Sequence, residues 1–293
     1  MRKNNIGLVD VDSKNFPNIA IMKIGAYHKS LGDRVEFYNP DKKYNKVYKS
    51  KVFTFTPDIK VNCDNVIQGG TGYDLKSKLP EDIDNMYPDY SLYNITDTAY
   101  GYLTRGCPRG CEFCIVCEKE GKKSKQVYNL NQFWNGQKEI KLLDPNITAA
   151  PNCIDLFNEL SETKAWIDFT QGIDLRLLTE KKIEAINKLK IKMIHFAWDN
   201  IKDEKIITEK LSLYVKNAKY NNYRKITVYV LVNFNSTFEE DLYRVYKIRD
   251  LGASPYIMIY DKENADKKYK KLRGWVNFAP IFRTVNRFED YKK

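Results

Sequence analysis

Between residues 98 and 261 short apolar runs alternate with amphipathic stretches, and few folds accept that rhythm. The runs are "TAYGYLTRG" (98–106), "EIKLLDPN" (139–146), "WIDFTQGI" (166–173), "IKMIHFAWD" (191–199), "KITVYVLV" (225–232) and "SPYIMIYD" (254–261). Their β-branched and aromatic content, with turn residues at the borders, marks them as strands. Two intervening stretches read as helices. "TEKKIEAINKLK" (179–190) has Thr179 as a cap and sets Ile183, Ile186 and Leu189 on one side. "TFEEDLYRVYKIRDLG" (237–252) opens acidic, closes basic and stops at Gly252. Such alternation implies a parallel sheet with right-handed crossovers. The span is too short for a complete eightfold barrel of ~250 residues. The expectation is therefore an α/β chain with a partial (β/α)6 TIM-type barrel over 98–265.

Ahead of it, "IGLVDVD" (6–12), a helical stretch at 15–32, "RVEFYNP" (34–40), "KVFTFTPD" (51–58) and "NVIQGGTGYDL" (65–75) follow β-α-β-β-β logic. They predict a small Rossmann-like α/β domain over 1–80. The proline- and turn-rich segment 81–97 reads as a linker, and 266–293 as a C-terminal extension packing on the barrel.

Four of the six cysteines fall within eleven positions of "TRGCPRGCEFCIVCEKEG" (104–121). Cys107, Cys111 and Cys114 have the spacing C-x3-C-x2-C, in a loop made tight by Gly106, Pro108 and Gly110. Structural zinc wants four ligands from Cys/His knuckles, and the two histidines, His28 and His195, lie far off in sequence. Three thiolates on a cubane cluster leave one iron open to a non-protein ligand. Cys117 reads as a nearby thiol or packed loop residue, and Cys63 and Cys153 as small apolar residues. A disulfide framework does not suit clustered thiols in a long chain whose first residues, "MRKNNIGLVDVD", lack a secretory pattern. No apolar run reaches the ~18–20 residues that span a bilayer, and a cytoplasmic location without membrane contact is expected.

"RGCPRGCEFC" resembles the signature of the radical S-adenosylmethionine (radical SAM) enzymes. The resemblance covers about residues 98–261. It implies that Cys107, Cys111 and Cys114 hold a 4Fe-4S cluster whose fourth iron is chelated by S-adenosyl-L-methionine. It also implies reductive cleavage of that cofactor to a 5′-deoxyadenosyl radical, with the electron supplied by a flavodoxin- or ferredoxin-type reductant. Phe113, before the last cysteine, would pack near the adenine. The competing reading is a non-enzymatic zinc-binding module for nucleic acid.

In a parallel barrel, chemistry gathers at the C-terminal strand ends. Asp144 and Asn146 stand after the second strand, where relatives carry a Gly-Gly-Glu loop that meets the cofactor's amino group. This sequence departs from that pattern, and a turn cap is the alternative for Asp144. After the third strand, Gln171, Asp174 and Arg176 are polar. Arg176 would meet the cofactor's carboxylate, or else pair with Asp174 to hold the loop. Asp199 and Asn200 align with the position near the ribose hydroxyls. Asn233, Asn235, Tyr260 and Asp261 are weaker candidates at the last two strand ends, and His195 reads as a core residue. No catalytic residue is assigned.

The N-terminal region resembles the cobalamin-binding-type domain of one radical SAM subgroup. That subgroup carries Asp-x-His-x-x-Gly after its first strand, and "DVDSKN" (10–15) has no histidine. A degenerate domain without cobalamin is the preferred reading. The formal charge of +11 suits a nucleic-acid partner and equally suits ordinary solvated faces. Basic, aromatic-laced segments lie at 41–51 and 266–274. The substrate is unidentified, with a nucleic acid or a peptide open.

Overall fold

The computed structural model describes residues 3–13 and 16–292. Lys14 and Asn15, which belong to the "DVDSKN" reading, lie outside them, as do Met1, Arg2 and Lys293. The fold is mixed α/β with parallel strand pairing. The chain divides into two compact units, residues 1–122 with 126–140, and residues 123–125 with 141–293. That division falls inside the span 98–265 expected as one barrel.

The first unit contains β1 (Asn5–Asp10), α1 (Ile19–Ser30), β2 (Arg34–Phe37), β3 (Lys46–Ser50) and β4 (Val66–Gly69). These strands form a sheet in the order β2-β1-β3-β4, with all three pairings parallel. β1 is central, so both its faces are covered. Ile6 and Leu8 pack with Ile21, Ile24 and Tyr48 on one side, and Val9 and Val47 pack on the other. Each such buried aliphatic contributes roughly 1.5–3 kcal/mol. Asn18 caps α1 by accepting the Ile21 N–H at 3.2 Å, and Gly32 (φ 80°) ends it.

The segment expected as a linker is ordered. It holds α2 (Glu81–Asp84) and a 3₁₀ turn at Tyr90–Tyr93, and it buries Ile83 and Tyr90. The Tyr90 hydroxyl donates to the Phe133 carbonyl at 2.7 Å and accepts the Tyr100 N–H at 2.9 Å. Aromatic anchoring outweighed the turn-rich composition on which the linker reading rested. Next come β5 (Thr98–Gly101), β6 (Thr104–Arg105), α3 (Val116–Glu120), β7 (Lys125–Gln126) and β8 (Glu139–Leu142).

The second unit continues with α4 (Cys153–Glu162), β9 (Trp166–Phe169), α5 (Glu180–Asn187), β10 (Lys190–Ala197), α6 (Glu204–Asn217), β11 (Ile226–Val232), α7 (Phe238–Asp250) and β12 (Ser254–Ile259). α8 (Lys267–Val276) and α9 (Ala279–Thr284) follow. The sheet runs β8-β9-β10-β11-β12 in chain order, and the last three pairings are parallel. One face buries Ile194, Phe196, Trp198, Val228, Val230 and Ile257, with α7 on β11 and β12 and α8 on β12. Thr237 and Glu240 close a capping box at the start of α7. Asn277 accepts the Ile257 N–H at 2.7 Å and donates to its carbonyl at 3.1 Å. That contact satisfies one residue's backbone on the edge strand, where unpaired groups invite wrong partners.

Candidate functional site

The cysteine loop belongs to the first unit. Gly106 (φ 90°) and Gly110 (φ 61°) take left-handed backbone that a side chain resists. Between Gly106 and Gly121 the chain folds back on itself. The Cys107 N–H donates to the Gly121 carbonyl at 3.1 Å, and the Cys114 N–H to the Cys111 carbonyl at 2.9 Å. Cys107 and Cys111 are half-buried and Cys114 is exposed, with Phe113 half-buried between them. The Cys117 thiol donates to the Cys107 carbonyl at 2.9 Å, and its sulfur accepts the Gly110 N–H at 3.2 Å. The fourth cysteine therefore binds the loop's own backbone.

The loop's stem is cationic, which the sequence reading missed. The Arg105 guanidinium lies over the Tyr102 ring, 4.6 Å from its centroid, and 3.9 Å from Glu120. Glu120 in turn accepts the Gly106 N–H at 3.1 Å. Burial, reinforced by Arg105, lowers the Lys119 ammonium from its ordinary value. The signal was visible only as Arg105 directly before the glycine of the motif.

Among the described residues no group of three His, Cys, Asp or Glu side chains converges as a metal site. By donor chemistry, three soft thiols on one loop suit an iron–sulfur cluster. His28 is engaged by Asp33 at 2.8 Å and the Tyr48 hydroxyl at 3.0 Å. His195 Nδ1 meets the Phe169 carbonyl at 2.8 Å.

In the second unit, the loops after β8 and β9 are bound into one polar knot. Asn146 bridges Gly172 in parallel fashion, and the Ile147 N–H donates to the Gly172 carbonyl at 3.0 Å. Gly172 (φ 87°) is obligatory there, because a Cβ would stand 2.2 Å from the Asp144 carbonyl oxygen. Asn146 is buried. Its Oδ1 accepts from the Thr148 hydroxyl at 2.9 Å and the Ala149 N–H at 3.2 Å, and its Nδ2 donates to Asp174 at 3.4 Å. Thr148 accepts the Asp174 N–H at 3.0 Å. Asp144 is fully buried in the same segment, and Gln171 is exposed beside it.

Arg176 forms the pair that the sequence offered as its structural alternative. Its Nε donates to Asp174 at 2.8 Å and its Nη1 to Asp203 at 2.7 Å. Both contacts orient the guanidinium. Asn200 caps the turn after β10 by accepting the Lys202 N–H at 2.9 Å. Burial pushes the Asp199 carboxyl up to about 6, against the opposing pull of Arg244 and Arg176. Below this stands Arg244, fully buried on α7. It donates to Asp241, to the Trp198 carbonyl and to the Leu231 carbonyl, the last at 2.8 Å. Asp241 also accepts from the Asn233 N–H at 3.1 Å and the Ser236 hydroxyl at 2.7 Å. An Asp–Arg pair three residues apart on a helix looks like an ordinary surface pair in sequence, so this brace was missed.

The weaker candidates serve turns. Asn233 (φ 64°) donates to the Tyr260 carbonyl at 3.0 Å, and Asp261 (φ 45°) accepts from Asn264 at 2.9 Å. His195 is hydrogen-bonded and largely buried, its side chain 14% exposed. It lies on the sheet face opposite the helices, stacked on Tyr229 at 5.2 Å and 3.8 Å from Asp168. Tyr229 contacts Tyr256 edge-on at 5.7 Å. The period-two pattern put His195 opposite Phe196, and Phe196 is the residue that faces the helices.

No family model matches the chain, and no curated protein matches it. Among solved structures, the chain is similar to the radical S-adenosylmethionine methyltransferase TsrM from Kitasatospora setae, described with cobalamin and a [4Fe-4S] cluster bound. The two share 10% identity over 88% of this chain and 72% of that one, with a TM-score of 0.62. At that identity the likeness is one of fold.

Proposed function

We propose that the chain is a radical SAM enzyme whose residues 98–265 form a partial (β/α)6 barrel, with Cys107, Cys111 and Cys114 holding a 4Fe-4S cluster. The observation that carries this reading is the C-x3-C-x2-C loop placed just after β5 and β6, in a chain that shares the fold of a radical SAM methyltransferase. The bound cluster would supply one electron to cleave the sulfonium of S-adenosylmethionine. The remaining work falls to the chain's own groups.

Gly106, Gly110 and Cys117 shape the loop that carries the thiols. Arg105, stacked on Tyr102 and facing Glu120, holds the stem from which the loop leaves. Arg176, already oriented by Asp174 and Asp203, offers a planar fork to a carboxylate. Asp199, whose carboxyl burial raises to about 6, would offer its oxygens to two hydroxyls of a ribose. Asp144, Asn146, Gln171, Asp174 and Asn200 form or border the same strand ends. Phe113 would pack against the adenine. The electron would come from a flavodoxin- or ferredoxin-type protein.

TsrM is described with cobalamin, so the first unit bears on that cofactor too. A cavity of about 410 Å³ is lined by Asp10, Ser13, Phe16, Pro17, Tyr93, Ile95 and Tyr100. Asp10 already accepts the Tyr93 hydroxyl at 2.7 Å and the Ser13 N–H at 3.2 Å. No histidine lines it, and we favour a unit that functions without cobalamin. Titration of the purified protein with hydroxocobalamin, read by absorbance after desalting, checks this.

The test of the main reading is anaerobic reconstitution with iron and sulfide. About four irons per chain and 5′-deoxyadenosine after reduction are expected. Both should vanish when Cys107, Cys111 and Cys114 are all changed to Ala. Equal product from that variant, or one zinc and no iron, would favour the zinc-module reading.

A further inference from the structure

The sheet of the second unit has a second chemically distinctive end. Because its strands are parallel, their N-terminal ends gather opposite the polar knot described above. β9 starts at Trp166, in register with Lys190 at the start of β10. The loop Lys219–Lys225 leads into β11 and brings Tyr220, Tyr223 and Arg224 to the same end. Its position is fixed by two contacts. The Lys225 ammonium donates to the Ile191 carbonyl at 2.9 Å, and the Ser254 hydroxyl donates to the Tyr223 carbonyl at 2.7 Å.

Rings and cations alternate there. Trp166 and Tyr220 meet edge-on at 6.4 Å. Lys225 lies 4.9 Å from the Trp166 centroid and Lys219 5.4 Å from that of Tyr220. Arg283, from α9, stacks 4.2 Å from the Tyr223 centroid, with Arg224 on the same ring at 5.8 Å. Trp166 stays 42% exposed and Tyr223 38% exposed, although large aromatics usually seek cover. Among the described residues, none of Lys164, Lys190, Lys219, Arg224, Lys225 or Arg283 makes an ion pair with a carboxylate. Six cations without a carboxylate partner thus gather at this end of the sheet, four of them against its rings, and they outnumber Glu162 and Asp250, the acidic residues that end α4 and α7 there.

We propose that this end of the sheet binds single-stranded nucleic acid, with Lys164, Lys190, Lys219, Arg224 and Arg283 on phosphates and Trp166 and Tyr223 stacking on bases. Stacking on exposed rings with cations tracking the backbone is how single strands are held without sequence readout. A duplex hides its base faces and would forgo the aromatic part. The proposal does not depend on the cluster or on radical chemistry, and it gives the +11 charge a local purpose.

The test is fluorescence anisotropy of the full chain with labelled 15-mers of single-stranded RNA, single-stranded DNA and duplex DNA across a salt series. Single strands should bind more tightly than duplex, with Trp166 emission quenched on binding. The variant Lys219→Ala/Arg224→Ala/Arg283→Ala should lose at least tenfold in affinity at low salt. Its log–log salt slope should flatten by about 2, from ~0.7 per phosphate contact on a single strand. Trp166→Ala should weaken binding with the slope unchanged. The control variant Lys262→Ala/Lys267→Ala/Lys270→Ala removes the same charge from exposed sites elsewhere and should leave affinity within about twofold. Stronger binding of RNA or of DNA assigns the natural ligand between them. Preference for duplex, unquenched Trp166, or equal losses in the two triple variants would overturn the proposal.

Discussion

The thiol of Cys117 is bonded to the carbonyl of Cys107, ten residues earlier, at 2.9 Å, and its sulfur accepts the Gly110 N–H. It closes the cysteine loop through backbone. Cys117 therefore behaves differently from its three neighbours when removed. Cys117→Ala should keep a full cluster after reconstitution, with slower loading and a stability loss of about 1 kcal/mol. Cys117→Ser, whose hydroxyl can still donate, should load faster than the alanine variant. Iron and sulfide analysis over the time course checks both. Loss of one iron's ligation in Cys117→Ser would instead make Cys117 a fourth ligand.

Gly172 allows the β9 loop to touch the Asp144 carbonyl, where a Cβ would come within 2.2 Å. Clash and left-handed backbone add, so Gly172→Ala should cost on the order of 3 kcal/mol. The expected signature is a lower urea midpoint with an unchanged slope. A loss below 1 kcal/mol would show that the knot between the two loops can relax.

The buried Asp241–Arg244 pair predicts an asymmetry. Arg244→Met leaves the Asp241 carboxylate buried with its cation gone and should cost about 3–5 kcal/mol. Arg244→Met with Asp241→Asn should regain much of that, since the amide oxygen can keep the Asn233 N–H bond made to Oδ2 while the amide NH2 in the Oδ1 position donates to the Ser236 hydroxyl. Chemical denaturation of the single and double variants tests the coupling.

Asp199 gives a pH dependence of known sign. Its carboxyl is raised from 3.8 to about 6 by burial, so the folded chain holds a proton that the unfolded chain has released. Stability from this group is present below the lower value and is lost as pH rises to about 6, a change of up to about 3 kcal/mol. Asp199→Asn should remove that slope and be more stable than the parent at neutral pH. Denaturation at pH 4.5 and 7.5 separates the outcomes, and parallel curves for parent and variant would contradict the shift.

The alternation of strands and helices was legible because it reports burial on two periods. Every expected strand from 98 to 261 is present, in chain order. The helix cap at Thr179 was readable for the same local reason, whereas the turn cap expected at Asp144 falls on Asn146. Distant contacts were not. The 81–97 segment looked like a linker because its prolines and aspartates are local signals, whereas the Tyr90–Phe133 contact that orders it spans 43 residues. His195 was legible as a satisfied, largely buried side chain, but strand parity alone does not say which face meets helices. Arg244 was invisible because its carbonyl partners are distant in sequence, Trp198 just past the end of β10 and Leu231 within β11. The unit boundary at 122–141 was hidden because the strand rhythm runs through it without a break.

The most direct measurement is electron paramagnetic resonance of the reduced, anaerobically reconstituted chain before and after addition of S-adenosylmethionine. The account expects one reduced 4Fe-4S signal per chain whose g-values shift when the cofactor binds the open iron. No cubane signal, or a signal indifferent to the cofactor because a fourth protein ligand already closes the cluster, would contradict it.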